Sequence, residues 1–81
     1  MYKVYVLKSN IDNRLYVGFS NNINRRLKEH NSGNVFSTKG FCPWQIVYFE
    51  NANDRIEARK REKYLKSGCG KEFLKSFLMP R

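Results

Sequence analysis

The chain opens on two strand-like segments separated by a short polar turn, and this pair limits the fold more than anything that follows. Tyr2 to Leu7 (Tyr-Lys-Val-Tyr-Val-Leu) is aromatic and β-branched, a composition that fits a pleated surface. Val4 and Val6 point one way and Tyr5 and Leu7 the other, so both faces of this strand ask for cover. Ser9-Asn10-Ile11-Asp12-Asn13 reads as a turn. Leu15 to Ser20 then alternates cleanly, with Leu15, Val17 and Phe19 on one face and Tyr16, Gly18 and Ser20 on the other. So short a connection makes the two strands a β-hairpin.

The remaining elements follow from caps, breaks and periodicity. Asn21 or Asn22 can cap a helix running to about His30 and closed by Asn31-Ser32-Gly33. Its inward stripe is Ile23, Leu27 and His30, with Arg26 on the same side, while Arg25, Lys28 and Glu29 face more outward. Asn34 to Pro43 is a loop without periodicity, carrying Ser37, Thr38 and Lys39. Trp44 to Glu50 reads as a third strand. After a turn at Asn51 to Asp54, Asn53 or Asp54 can cap a second helix, about Arg55 to Lys66. Gly68-Cys69-Gly70 breaks that helix, and Lys71 to Leu78 forms a short last one that docks through Phe73, Leu74 and Phe77. The expected order is β-β-α-β-α-α, a small three-stranded antiparallel sheet flanked by helices, an α+β fold in one domain of residues 1–81.

At 81 residues the core must be small, but 41% hydrophobic and 15% aromatic content supports folding. The formal charge of +9, from 16 Lys and Arg against 7 acids, works against compaction and calls for a polyanionic partner, most commonly nucleic acid. An anionic membrane is the rival partner, but neither a basic amphipathic helix with a broad apolar face nor a lipidation signal is present. No apolar run is long enough to span a bilayer, and Met1-Tyr2-Lys3-Val4 leads into a strand without a signal peptide's pattern. The expected location is therefore cytoplasmic, with Cys42 and Cys69 kept as thiols. One histidine and no Cys-x-x-Cys argue against a zinc site.

Five positions have side chains that packing alone does not explain. Ala58, Glu62 and Leu65 share one sector of the second helix, and an acid in an apolar stripe is costly unless a cation meets it. That cation is either a metal ion or the helical neighbours Arg59 and Lys66. Tyr5 and Tyr16 fall on one side of the hairpin if its loop has an even number of residues, with Gly18 beside them leaving room for a close approach. Arg26 can snorkel along the helix, or aim its fork of donors at a phosphate. His30, one turn on, is either a core residue at the helix end or a catalyst. Lys60, Arg61, Lys63, Lys66, Lys71 and Lys75 make the C-terminal half basic, a solvated face that also attracts phosphates.

In sequence order, these features resemble the GIY-YIG nuclease superfamily, and most closely its small single-domain members, relatives of the nuclease domain of the bacterial excision-repair incision subunit. The resemblance rests on Tyr16-Val17-Gly18, on Asn21-Asn22-Ile23-Asn24-Arg25-Arg26-Leu27 with Glu29-His30-Asn31-Ser32-Gly33, on Pro43-Trp44 with Val47-Tyr48-Phe49-Glu50, and on Ala58-Arg59-Lys60-Arg61-Glu62-Lys63. It implies a DNA endonuclease, directed by structure rather than sequence and tied to DNA repair or processing. Glu62 would then be the sole protein ligand of one Mg²⁺ or Mn²⁺ ion, and Arg26 would hold the scissile phosphate. Tyr5 and Tyr16 would line the site, one of them activating or positioning water, with His30 near the reacting phosphate. Asn31 would fix the helix end and Gly18 the close approach, and Lys39, Arg59, Lys63 and Lys66 would contact nucleic acid. One hard cation on one carboxylate suffices when substrate phosphate completes its shell.

Two departures stand out. The first triad reads Lys3-Val4-Tyr5, without its glycine, and Phe19 follows Gly18 where some relatives place a lysine. Relatives of known DNA specificity carry further domains, so targeting here is expected to be weak or to come from a protein partner or a second copy. The same residues also admit a module that binds nucleic acid on this fold without cutting it.

Overall fold

The first strand lies in the middle of the sheet. In the computed structural model, which describes residues 1–78, β1 (Tyr2–Ser9) pairs antiparallel with β2 (Leu15–Ser20) and with β3 (Trp44–Ala52), giving the order β2-β1-β3. A central strand is covered on both faces, and accordingly Val4, Tyr5, Val6 and Leu7 are all buried. Each strand also extends as its pairing allows, so β1 continues to Ser9 and β3 to Ala52, past the expected ends at Leu7 and Glu50. The expected α+β order, β-β-α-β-α-α, is the observed one. The single-domain reading of residues 1–81 extends to 79–81, which lie outside the described residues.

Two cores result, one on each face of the sheet. Val4, Val6 and Val17 pack with Ala52, with Ala58 and Leu65 of α2 (Arg55–Lys66) and with Leu74 of α3 (Gly68–Leu78). On the other face Tyr5, Leu7 and Trp44 pack with Tyr16 and with Ile23 and Leu27 of α1 (Ile23–Asn31). The hairpin register matters most for the site. Tyr5 pairs with Gly18 and Leu7 with Tyr16, so six residues separate the pair Lys8 and Leu15 and the parity places both tyrosines on the α1 face.

Local chemistry settles the helix starts. Asn22, not Asn21, caps α1 by accepting from the Arg25 amide at 3.0 Å. Asp54 caps α2 by accepting from the Glu57 amide at 2.8 Å, and Glu57 answers by accepting from the Asn53 amide at 3.1 Å. The turn after α1 uses Gly33 at φ +83°, a left-handed conformation that suits glycine.

The expected break at Gly68-Cys69-Gly70 is not there. These residues are the first turn of α3, and Ser67 alone separates it from α2 with an extended backbone (φ −75°, ψ 170°). Ser67 Oγ accepts from the Gly70 amide at 3.3 Å, so a serine cap starts the new helix where the glycines suggested an interruption. Gly70 serves close packing instead: a methyl there would overlap the Tyr64 carbonyl and the Leu65 Cα, backbone atoms that do not yield cheaply. Gly70→Ala is expected to destabilise the protein by about 1–3 kcal/mol, the range for overpacking. Urea unfolding measures this, and a gain in stability from the better helix former would show that α3 shifts freely.

Candidate active site

Three elements bring their polar side chains to one point, the Tyr5 hydroxyl. Tyr5 stands on the central strand, 2% exposed, and its ring lies across Gly18, where a side-chain carbon would come 2.7 Å from the phenol oxygen. The space left by Gly18 is thus filled by the protein's own tyrosine. From α1, His30 Nε2 lies 3.1 Å from that hydroxyl, and the Arg26 guanidinium one turn earlier sits against it. Tyr16 closes the other side, its ring 4.9 Å from His30 and 6.3 Å from Trp44. Among the described residues the Tyr16 hydroxyl makes no hydrogen bond, in contrast with that of Tyr5.

His30 is fully buried and held from behind. Its Nδ1 lies 2.7 Å from Thr38 Oγ1, and Thr38 Oγ1 is 3.4 Å from the Val35 carbonyl, which can accept its proton. With Thr38 donating to that carbonyl, His30 carries its proton on Nδ1 and leaves Nε2 to accept from Tyr5. The turn at Lys39–Phe41 tucks Thr38 under Trp44, whose indole N–H donates to the Thr38 carbonyl at 3.0 Å. Asn31 ties the end of α1 to the start of β3: its amide donates to the Trp44 carbonyl at 3.0 Å and its carbonyl accepts from the Trp44 N–H at 2.6 Å.

Burial sets the electrostatics here. It pushes the Tyr5 phenol up from 10.0 to about 12, against the lowering pull of the Arg26 guanidinium. It pushes His30 down from 6.5 to about 4, and the nearby Arg26 charge adds to the effect. Both groups are therefore neutral near pH 7. Between pH 6.5 and about 4 the unfolded chain binds a proton at this histidine that the folded chain refuses, so stability falls as pH drops through that window. The loss is about 3 kcal/mol, at 1.36 kcal/mol per unit. His30→Gln should flatten this acid limb in urea unfolding at pH 7 and pH 4.5; an unchanged fall would place the acid sensitivity elsewhere.

Glu62 faces the same region from α2. Its side chain is 17% exposed, with Arg59 Nε at 3.8 Å and Lys66 Nζ at 3.3 Å. Its negative charge bears on Tyr5, and Lys66 Nζ lies 6.0 Å from the centre of the Tyr16 ring, so side chains of α2 reach past the edge strand β2 to the tyrosine face. Of the other basic candidates, Lys63 lines a groove of about 260 Å³ with Arg55, Arg59 and Lys60 on the outer side of α2. Lys39 stands apart from the cluster, its ammonium 4.9 Å from the Phe36 ring.

Sequence reasoning passed over Thr38, Glu29 and Arg25 as parts of the site. Glu29, expected to face outward, accepts from Arg26 Nη1 at 2.8 Å and lies 3.9 Å from Arg25 Nε. The spacing Arg25, Arg26, Glu29 carries that signal, since residues three and four apart meet on a helix.

With this arrangement in place, residues 1–73 match the GIY-YIG catalytic domain. The chain belongs to the GIY-YIG family. A UPF0213 protein of Clostridium perfringens is 44% identical over 64 residues, 78% of this chain and 68% of that protein. A UPF0213 protein of Staphylococcus epidermidis is 37% identical over 73 residues, 89% of this chain and 88% of that one. The solution NMR structure of a UPF0213 protein from Bacillus halodurans shares the fold, with a TM-score of 0.56 and 32% identity, covering 95% of this chain and 85% of that one. This GIY-YIG chain keeps a tyrosine from each signature triad, and the hairpin register sets both on one face. No described helix is long and apolar enough to cross a membrane.

Proposed function

We propose that this chain is an endonuclease that hydrolyses phosphodiester bonds in DNA, chooses its target by DNA shape, and serves DNA repair or processing. One observation carries the reading: a guanidinium, a buried neutral histidine and two phenols, from three separate elements, meet at one point, and a carboxylate of a fourth bears on it. The net charge of +9 supplies the attraction for a polyanion. The family membership gives the reaction class, and its nucleases generally use divalent ions.

Among the described residues no three His, Cys, Asp or Glu side chains gather as a metal cage. A Mg²⁺ or Mn²⁺ ion therefore fits only an open site of one carboxylate, and Glu62 has the required chemistry: a partly buried oxygen donor whose charge is felt at Tyr5, held by two long, displaceable basic side chains. Such an ion would neutralise phosphoryl charge and polarise water. Arg26, released from Glu29, donates to the phosphate oxygens that gain charge as water attacks phosphorus and one P–O ester bond breaks. The Tyr5 phenol, pushed up to about 12, keeps its proton at neutral pH and donates a hydrogen bond to His30 Nε2, so it acts by position. Tyr16, with the freer hydroxyl, is left to orient the attacking water. Lys66, Arg59, Lys63 and Lys39 supply backbone contacts.

The pairing of Glu62 with Arg59 and Lys66 favours a second reading, a binding module that keeps the fold and has neutralised its acid. A cleavage panel separates the two, using plasmid, single-stranded, flapped and branched DNA and RNA with Mg²⁺, Mn²⁺ or EDTA. Metal-dependent cutting of one DNA shape supports the nuclease. Salt-sensitive binding with no cutting anywhere favours the module.

A further inference from the structure

The cleft that holds Arg26 does not stop at Arg26. It is a polar recess of about 340 Å³ between the first turns of α1, the end of β2 and the start of α2, and it is bordered by Arg25, Arg26, Arg55 and Glu29. By the liquid share of roughly 30 Å³ per water, it has room for more than one phosphate group. Tyr2 and Phe19 also line it, with their rings edge to face at 6.1 Å.

Charge is what this cleft has in excess. Three guanidiniums face one carboxylate, and Glu29 engages only the two arginines of its own helix. Arg55 has no carboxylate within ion-pair distance among the described residues, and its guanidinium lies 5.7 Å from the Phe19 ring. A cation at the first position of α2 also sits against that helix's own dipole. Beyond its contact with the Phe19 ring this placement adds little to fold stability, whereas an anion bridging two helices would gain from all three forks.

We infer that Arg25 and Arg55 form a second phosphate subsite, which takes a backbone phosphate of the same nucleic-acid strand, adjacent to the phosphate held by Arg26. This rests on the proposed reading of Arg26 as the ligand of the scissile phosphate. Glu29 acts as an internal competitor: its carboxylate occupies Arg26 at 2.8 Å until phosphate displaces it. The subsite fixes the strand's register at the point of cutting, and so it is felt in binding and in KM while kcat is kept.

The test is binding of a labelled single-stranded DNA 12-mer in EDTA, where no cutting interferes, across a salt series. Arg25→Ala with Arg55→Ala should weaken binding about tenfold or more, as removal of charge-assisted bonds to phosphate implies. The slope of log K against log salt should shrink by about 0.7 for each phosphate that the protein no longer neutralises. The charge-matched control, Lys71→Ala with Lys75→Ala on α3, should cost much less. Glu29→Gln should tighten binding severalfold. Equal weakening in the two double variants, or an unchanged slope, would overturn the subsite. If wild type binds in this pattern but cuts nothing, the nuclease reading fails and the subsite stands. If wild type cuts and the arginine double variant binds and cuts like it, the subsite fails alone.

Discussion

Arg26→Ala is expected to lower kcat for phosphodiester cleavage by about 10²–10³, the cost of removing one well-placed donor to a developing oxyanion. The fold should survive, because the side chain is 36% exposed and its ion pair with Glu29 is a surface pair of small value. Arg26→Lys should recover only part of the rate, since an ammonium cannot offer two parallel donors to a phosphate. Single-turnover cleavage beside a thermal melt checks both statements. A wild-type rate in Arg26→Ala would reduce this guanidinium to a snorkelling side chain and remove the anchor of the proposed mechanism.

Glu62→Gln should have the larger effect, about 10³-fold or more, because it removes the carboxylate proposed to hold the divalent ion. The substitution keeps shape and burial and changes charge alone. The ion pairs it breaks, to Arg59 at 3.8 Å and Lys66 at 3.3 Å, involve side chains that are 60% and 51% exposed, so stability should move by under about 1 kcal/mol. Nucleic-acid binding without metal should strengthen slightly, since a negative charge has left a basic surface.

The two tyrosines could be placed together from the sequence because strand parity is strict: an even loop sends both to one face, and the register confirms it. Arg26 and His30 share a side because they are four residues apart on one helix. Glu62 was legible as an acid in the Ala58 and Leu65 sector, but the action of its charge on Tyr5 was not, since that depends on α2 reaching past the edge strand. Thr38 gave no signal, because the loop around it has no period and only tertiary packing under Trp44 selects it over Ser37. Gly70 misled: a Gly-x-Gly stretch reads as a helix break, yet here glycine allows two helix backbones to touch. Glycine at a close approach and glycine at a break look alike until the neighbour is known.

The most direct measurement is cleavage of a DNA panel by wild type and Glu62→Gln side by side, titrated with Mg²⁺ and repeated in EDTA, with the fold of each checked by its melt. The expected result is metal-dependent cutting by wild type, silence in EDTA, and a rate at least about 10³-fold lower in the variant with its fold intact. Equal cutting by the two proteins would contradict a metal-assisted nuclease built on Glu62.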